Sequence, residues 1–482
     1  MAHKRDSYLS TGSLMNLFSF HGFCRLAFCL VRSPGRIRGQ INKSPYCDFH
    51  QCNNLAMIYL KVLALHAIIV LGLRVIGVAI AQGCAPSAAQ LPEPSDLPII
   101  STLPDPFIFR LSDRRVRPRA DWDCRRAELK TLVQHYLYGY WPDPTRETVR
   151  ASRDGINLTI SVSVDGKTAS FPANITLPSG ASRANRVPVV IATGPLVPVP
   201  PEPFLESGVA VAAFDVQYVA NDSYARIGAF WDLYADRDIG VMTAWAWAES
   251  KILDALGEVV PEVDTSRVGV VGCSRYGKTA LAAAIFDERF KLALVMSSGA
   301  EGIGPWRYYY ESKGAAEKVE NITTKYGYWS TTELCKFDNV AGNSTRIPFD
   351  AHELVSLVAP RAILWDEGEE DWWTNPEGSV SVVYGASKIV FDWLGIGDKV
   401  GVHVRPPPDD LHCGLSAYPA AQPFVQKVFF GTPTNVNFSN ISPVPSRGVP
   451  MGILPSATIK CHLRRRDRIT PKRIGCTLRR ET

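Results

Sequence analysis

The sequence predicts an α/β fold, a three-layer α/β sandwich around a mostly parallel sheet with an antiparallel hairpin at its N-terminal edge. Two observations carry this: an alternating apolar pattern with a tight turn, and a later succession of short apolar runs separated by helical segments. Ile160, Val162 and Val164 alternate with polar neighbours, Asp165-Gly166 supplies the turn, and Phe171, Ala173, Ile175 and Leu177 resume the alternation. That is the signature of a hairpin. Apolar runs at 189–193, 209–216, 267–272, 291–297, 361–366 and 400–405 then read as buried strands. Segments 238–259, 275–288, 351–358 and 380–394 lie between them and read as helices. Strands alternating with helices pair in parallel, because each crossover must return across a face of the sheet. No internal repeat is visible.

The chain of 482 residues is 46% hydrophobic and 21% charged, which excludes a disordered chain, a coiled coil, a collagen and a polytopic membrane protein. Its net charge of +5 is misleading. Residues 460–482 carry a net +7, residues 1–56 a net +5, and Lys61 and Arg74 add +2, which leaves −9 for residues 82–459. An acidic body lacks the clustered cations that phosphate binding requires, so no nucleic-acid partner is expected.

Residues 57–81 read as a signal peptide: Met57 and Lys61 open it, 62–73 contain no Lys or Arg, and Ala79-Ile80-Ala81 offers a cleavage site before Gln82. A signal anchor is the alternative, although Arg74 interrupts the apolar run before it reaches spanning length. On this reading 1–56 is a dispensable upstream extension, 82–442 one folded domain and 443–482 a basic disordered tail. Sequons at Asn157, Asn174, Asn221, Asn321, Asn343, Asn437 and Asn440 agree with a secreted, extracellular glycoprotein, with no membrane partner after cleavage. A monomer is expected. Five of the eleven cysteines lie in the body, with no C-x-x-C pair among them. In an oxidising compartment disulfides are the default. Cys84, Cys124, Cys273 and Cys413 are taken as disulfide cysteines, and Cys335 is left without an assigned partner.

The stretch from Arg267 to Leu281 is a strand, a sharp turn and a helix, and two mechanisms claim it. Gly272-x-x-x-x-Gly277-Lys278-Thr279 matches the phosphate-binding loop of nucleotide hydrolases. Alternatively Ser274, two residues after Gly272, sits on a nucleophile elbow, where the helix N-terminus can stabilise an oxyanion. The second glycine follows Ser274 by three residues where the usual elbow has two. A serine hydrolase also needs a histidine after the last strand, and Leu411-His412-Cys413 stands there. A Cys273–Cys413 disulfide would tie the serine loop to the histidine loop.

Gly272-Cys273-Ser274-Arg275-Tyr276-Gly277-Lys278 resembles the G-C-S-R-x-G-K signature of glucuronoyl esterases, carbohydrate esterase family 15. Ser298-Gly299-Ala300 with Trp306-Arg307, Asp350-Ala-His352-Glu-Leu354 with Ala359-Pro360-Arg361, Trp245-Ala-Trp247 and His412-Cys413 resemble further segments of that family. The resemblance runs from about Trp122 to Gly431. It implies an α/β-hydrolase fold and hydrolysis of esters joining 4-O-methylglucuronic acid on glucuronoxylan to lignin alcohols, without metal or cofactor. It also implies that Arg275 supplements the oxyanion hole, that Lys278 contacts sugar hydroxyls, that Trp373 lies beside the uronate ring, and that Glu320 falls near a polar sugar-binding position.

One departure stands out. Many family members carry the catalytic glutamate immediately before the Ser-Gly segment, where this sequence has Ser297. Serine cannot hold an imidazolium as a carboxylate does. Other members place the acid after a later strand, here the loop Glu367–Pro376. Asp371 is therefore assigned as the acid, with Glu370 and Glu301 behind it. Ser274 attacks the ester, His412 moves the proton and Asp371 orients His412. A non-catalytic carbohydrate-binding relative and a nucleotide hydrolase are the competing readings.

Overall fold

The computed structural model describes residues 84–194, 200–308 and 317–438; the expected extension 1–56, signal 57–81 and tail 443–482 lie outside them, as does Asn440. Nine strands form one sheet in the order β1-β2-β3-β5-β4-β6-β7-β8-β9. They are β1 Thr148–Asp154, β2 Asn157–Val164, β3 Lys167–Thr176, β4 Val187–Thr193, β5 Ala210–Phe214, β6 Val263–Cys273, β7 Phe290–Met296, β8 Ala362–Gly368 and β9 Val400–Arg405. β1, β2, β3 and β5 pair antiparallel in succession, and every pair from β5–β4 to β8–β9 is parallel. The helices of eight residues or more are α1 Arg119–Val133, α2 Val241–Val259, α3 Arg275–Phe286, α4 Val319–Tyr326, α5 Ala351–Val358, α6 Tyr384–Trp393 and α7 Ala417–Phe430.

Strand periodicity divides the core into two faces. Val189 and Ile191 of β4 join Trp245 and Ala248 of α2 and Leu281 of α3 on one face. Val190 and Ala192 join Tyr418, Phe424 and Val425 of α7 on the other. β4, β5 and β8 are buried along their whole length, and β6 and β7 along their C-terminal runs. Burial on both faces explains why they read as unbroken apolar runs instead of alternating ones. This is the architecture of the α/β hydrolases, with the expected antiparallel edge. That edge is one strand longer than the sequence predicts: β1 alternates between exposed and half-buried residues and has no fully buried one.

The parallel strands all point the same way, so their C-terminal ends line one edge of the sheet, where such folds place ligands. β6 ends at Cys273, β7 at Met296, β8 at Gly368 and β9 at Arg405. The proposed nucleophile, the serine at the family's acid position, the acid loop and the histidine loop each follow one of these ends. Among the described residues no helix is long and apolar enough to cross a membrane.

Candidate active site

Ser274 is the single residue between β6 and α3, with φ 60° and ψ −132°. A non-glycine residue held there stores about 1–3 kcal/mol of backbone strain, a feature of functional turns. Its N–H donates to the Met296 carbonyl at 2.9 Å, and its own carbonyl accepts from Gly277 and Lys278 at 2.9 and 3.1 Å. The glycine spacing follows from packing. A Cβ on Gly272 would lie 2.2 Å from the Tyr276 carbonyl oxygen, and one on Gly277 would lie 3.0 Å from that of Met296. Both glycines let α3 sit hard against the strand ends, so the second one is needed where the helix crosses β7.

The same turn removes the phosphate-loop reading. Strand and helix are separated by one residue, which leaves no loop of backbone N–H groups to wrap a phosphate chain. Lys278, which such a loop would aim at phosphate, is buried; its Nζ donates to Glu317 Oε2 at 2.6 Å and to the Ala300 carbonyl.

His412 Nδ1 lies 2.8 Å from Asp371 Oδ2. With the carboxylate ionised, Nδ1–H donates and Nε2 keeps its lone pair for a proton. The imidazole is 41% exposed and Asp371 is 4% exposed, so the carboxylate is sheltered while the ring meets solvent. Disulfides join Cys273 to Cys413 and Cys84 to Cys124, and Cys335 is free. The first bond fastens the residue before Ser274 to the residue after His412. Of the alternative acids, Glu370 Oε2 accepts from Trp372 Nε1 at 3.1 Å, and Glu301 Oε1 accepts from the Ser330 hydroxyl. Neither is bonded to His412. Glu367, one turn before Asp371, is driven well above the ordinary carboxyl range by burial and then by the Asp371 charge.

Arg275 opens α3, where an amide N–H has no intrahelical acceptor. Its side chain is 40% exposed, with Nε 3.2 Å from Asp222 Oδ2. Asp222 also accepts from Trp329 Nε1 at 2.9 Å, so a residue that no motif singles out is the one paired with the arginine. Trp373 is half-buried, and its carbonyl accepts the Glu317 N–H at 2.9 Å. Lys278, Glu317 and Trp373 are thus joined by consecutive hydrogen bonds. Glu320 is not among them, because its Oε1 takes Asn343 Nδ2 at 2.9 Å. Glu317 is the acid that meets Lys278, and no sequence spacing links two residues that far apart in an irregular segment. Among the described residues no group of three or more His, Cys, Asp or Glu is placed to hold a metal ion.

Glu301 behaves as a buried acid. Burial raises its carboxyl to about 7, offset in part by the Lys278 charge. The folded state therefore keeps this proton up to about pH 7, whereas an unfolded chain releases it near 4.5. The stabilising contribution is full below the unfolded value and is lost as pH rises through the folded one. Glu301→Gln should flatten the decline in thermal midpoint between about pH 4.5 and 7 relative to wild type. Parallel melting curves for the two proteins would contradict this.

A family model described as glucuronyl esterase of fungi matches residues 160–395. The 4-O-methyl-glucuronoyl methylesterase 1 of Wolfiporia cocos is 38% identical over 314 residues, 62% of this chain and 74% of that protein. A carbohydrate esterase family 15 glucuronoyl esterase from Caldicellulosiruptor kristjansonii superposes with a TM-score of 0.65 at 35% identity, covering 72% of this chain and 97% of the other. A serine-to-alanine variant of the Sporotrichum thermophile glucuronoyl esterase, solved with methyl 4-O-methyl-β-D-glucopyranuronate, superposes with a TM-score of 0.62 at 29% identity, covering 71% and 94%.

Proposed function

The chain belongs to the glucuronoyl esterase family, and we propose on that premise that Ser274, His412 and Asp371 are the triad of a carboxylic ester hydrolase acting on 4-O-methylglucuronate esters. The observation that carries the assignment is the Cys273–Cys413 disulfide, which binds the nucleophile's neighbour to the base's neighbour. His412 Nε2 takes the Ser274 proton as Oγ attacks the ester carbonyl. The oxyanion forms at the N-terminus of α3, where the Arg275 N–H, the helix dipole and the guanidinium all favour negative charge. His412 then protonates the departing alcohol, and water repeats the sequence in reverse to release the uronic acid. Asp371 keeps Nδ1 protonated throughout. Trp373 offers the sugar a ring, while Lys278 and Glu317, buried and paired at 2.6 Å, hold the segment bonded to its carbonyl.

The natural ester on this reading joins the uronate of glucuronoxylan to a lignin alcohol, and the enzyme works as a secreted monomer. Sequons at Asn157, Asn174 and Asn437 fall on exposed positions of the 82–442 domain, which supports an extracellular glycoprotein. Purified protein should release benzyl alcohol from the benzyl ester of 4-O-methylglucuronic acid without added metal, and should liberate no phosphate from Mg²⁺-ATP. Failure to release the alcohol would refute the esterase reading for this chain.

A further inference from the structure

Arg405, the last residue of β9, is fully buried, and the chemistry described so far does not use it. Its Nε donates to Asp366 Oδ1 at 2.6 Å and its Nη2 to the Ser297 hydroxyl at 3.1 Å. Its Nη1 donates to the carbonyls of Asp409 and, at 2.8 Å, Leu411. A buried guanidinium is stable when its charge is matched and its donors are satisfied. Asp366, itself buried, supplies the charge. The remaining acceptors come from two other places: the turn after β7 and the loop that delivers His412.

This arrangement does more than neutralise an ion. The planar fork fixes three chain segments against one another, and one of them ends in the catalytic base. The acid loop is attached to the same residue, because the Arg405 carbonyl accepts the Glu369 N–H at 3.0 Å and the Asp410 carbonyl accepts that of Glu370 at 3.1 Å. Glycines mark how closely these loops approach. A Cβ on Gly414 would lie 2.0 Å from Arg405 Nη1, and one on Gly368 would lie 2.2 Å from the Asp410 carbonyl oxygen. His412 itself is too exposed for packing to hold it in place.

We propose that Arg405 is a positioning residue for ester hydrolysis. Through the Asp409 and Leu411 carbonyls it sets the His412 imidazole against Asp371, while the neutral Ser297 hydroxyl serves it as an acceptor. Position 297 is thereby committed to supporting the arginine, and the acid is drawn from the β8 loop. The inference rests on the triad reading above.

Arg405→Lys keeps a cation beside Asp366 and loses the fork. A displacement of the base by an ångström costs on the order of 10²-fold, so kcat on the benzyl ester should fall by about that factor with KM little changed. A merely structural role would instead multiply independently with other lesions. We therefore expect Arg405→Lys to add no more than about twofold in an Asp371→Asn background, since the two substitutions disable one device. Wild-type kcat in Arg405→Lys, or its full loss repeated in the Asp371→Asn background, would overturn the proposal. If Arg405→Lys does not fold, Ser297→Ala removes one acceptor and leaves the charges intact. A fall in kcat at constant KM then supports the proposal, and an unchanged kcat overturns it. Should Asp371→Asn itself turn over like wild type, the triad reading has failed. If Asp371→Asn collapses and Arg405→Lys does not, only the present inference has failed.

Discussion

Ser274→Ala should abolish turnover on uronate esters while leaving the fold and substrate affinity intact. On the proposed mechanism the oxygen removed is the atom that attacks the carbonyl, so no acyl-enzyme can form. Loss of the nucleophile in a serine hydrolase triad costs on the order of 10⁶ in kcat, and the residue of catalysis over water comes from the oxyanion donors and binding alone. The proposed donors belong to the backbone and to Arg275, which the substitution leaves in place. The hydrogen bonds of Glu317 to Lys278 and to the Trp373 carbonyl are likewise untouched, so the affinity for uronate measured by calorimetry should match wild type. Alanine at φ 60° is no worse placed than serine, so the melting temperature should stay close to that of wild type. Retained benzyl alcohol release in this variant would remove Ser274 from the mechanism. Retained affinity with lost turnover would exclude the binding-only reading for the parent protein.

The elements that were legible in the sequence are those whose signal is local. β2 and β3 alternate, and β4 and β5 are apolar along their length while β6 to β8 carry apolar runs, because helices cover both sides. The elbow was legible too, since a strand, one strained residue and a helix leave their mark within fifteen positions. α7 was not, because Pro419 and Pro423 argue against a helix that the core on that face nevertheless stabilises. α1 was hidden by its charges. Arg125 and Glu128 are both buried, and Arg125 pairs with Glu128 at 2.7 Å and with Glu353 at 2.6 Å. A partner 228 residues away cannot be inferred from a helical pattern. The same limit separates the site residues. Ser274 and His412 announce themselves by their place in the strand order, whereas Glu317, Asp222 and Arg405 are defined by contacts between distant segments. The proposed acid lies between these cases: its loop follows a strand end, and which of its four carboxylates meets His412 is a matter of geometry.

Asp371→Asn should leave the protein folded and cost about 10⁴ in kcat, the scale seen when the acid of a serine-protease triad becomes an amide. The reason is the tautomer. Asp371 Oδ2 accepts the His412 Nδ1 proton at 2.8 Å, which leaves Nε2 as the base. An asparagine offers either an N–H that forces the proton onto Nε2 or an oxygen without the charge to stabilise an imidazolium. Glu370→Gln should be nearly silent by comparison, because that carboxylate is engaged with Trp372 Nε1 and only adds a screened field. Glu301→Gln should alter the pH dependence of stability far more than kcat, since its carboxyl is bonded to Ser330 and not to the base. Restoring a carboxylate at the other family position offers a last discrimination. In Ser297→Glu/Asp371→Asn the new side chain starts from a site whose hydroxyl already receives Arg405 Nη2 at 3.1 Å, so the guanidinium should capture it before His412 does. Turnover of the double variant should therefore remain as low as that of Asp371→Asn. Recovery of activity would show that the imidazole can reach position 297, and the fixed placement of His412 against Asp371 would have to be abandoned.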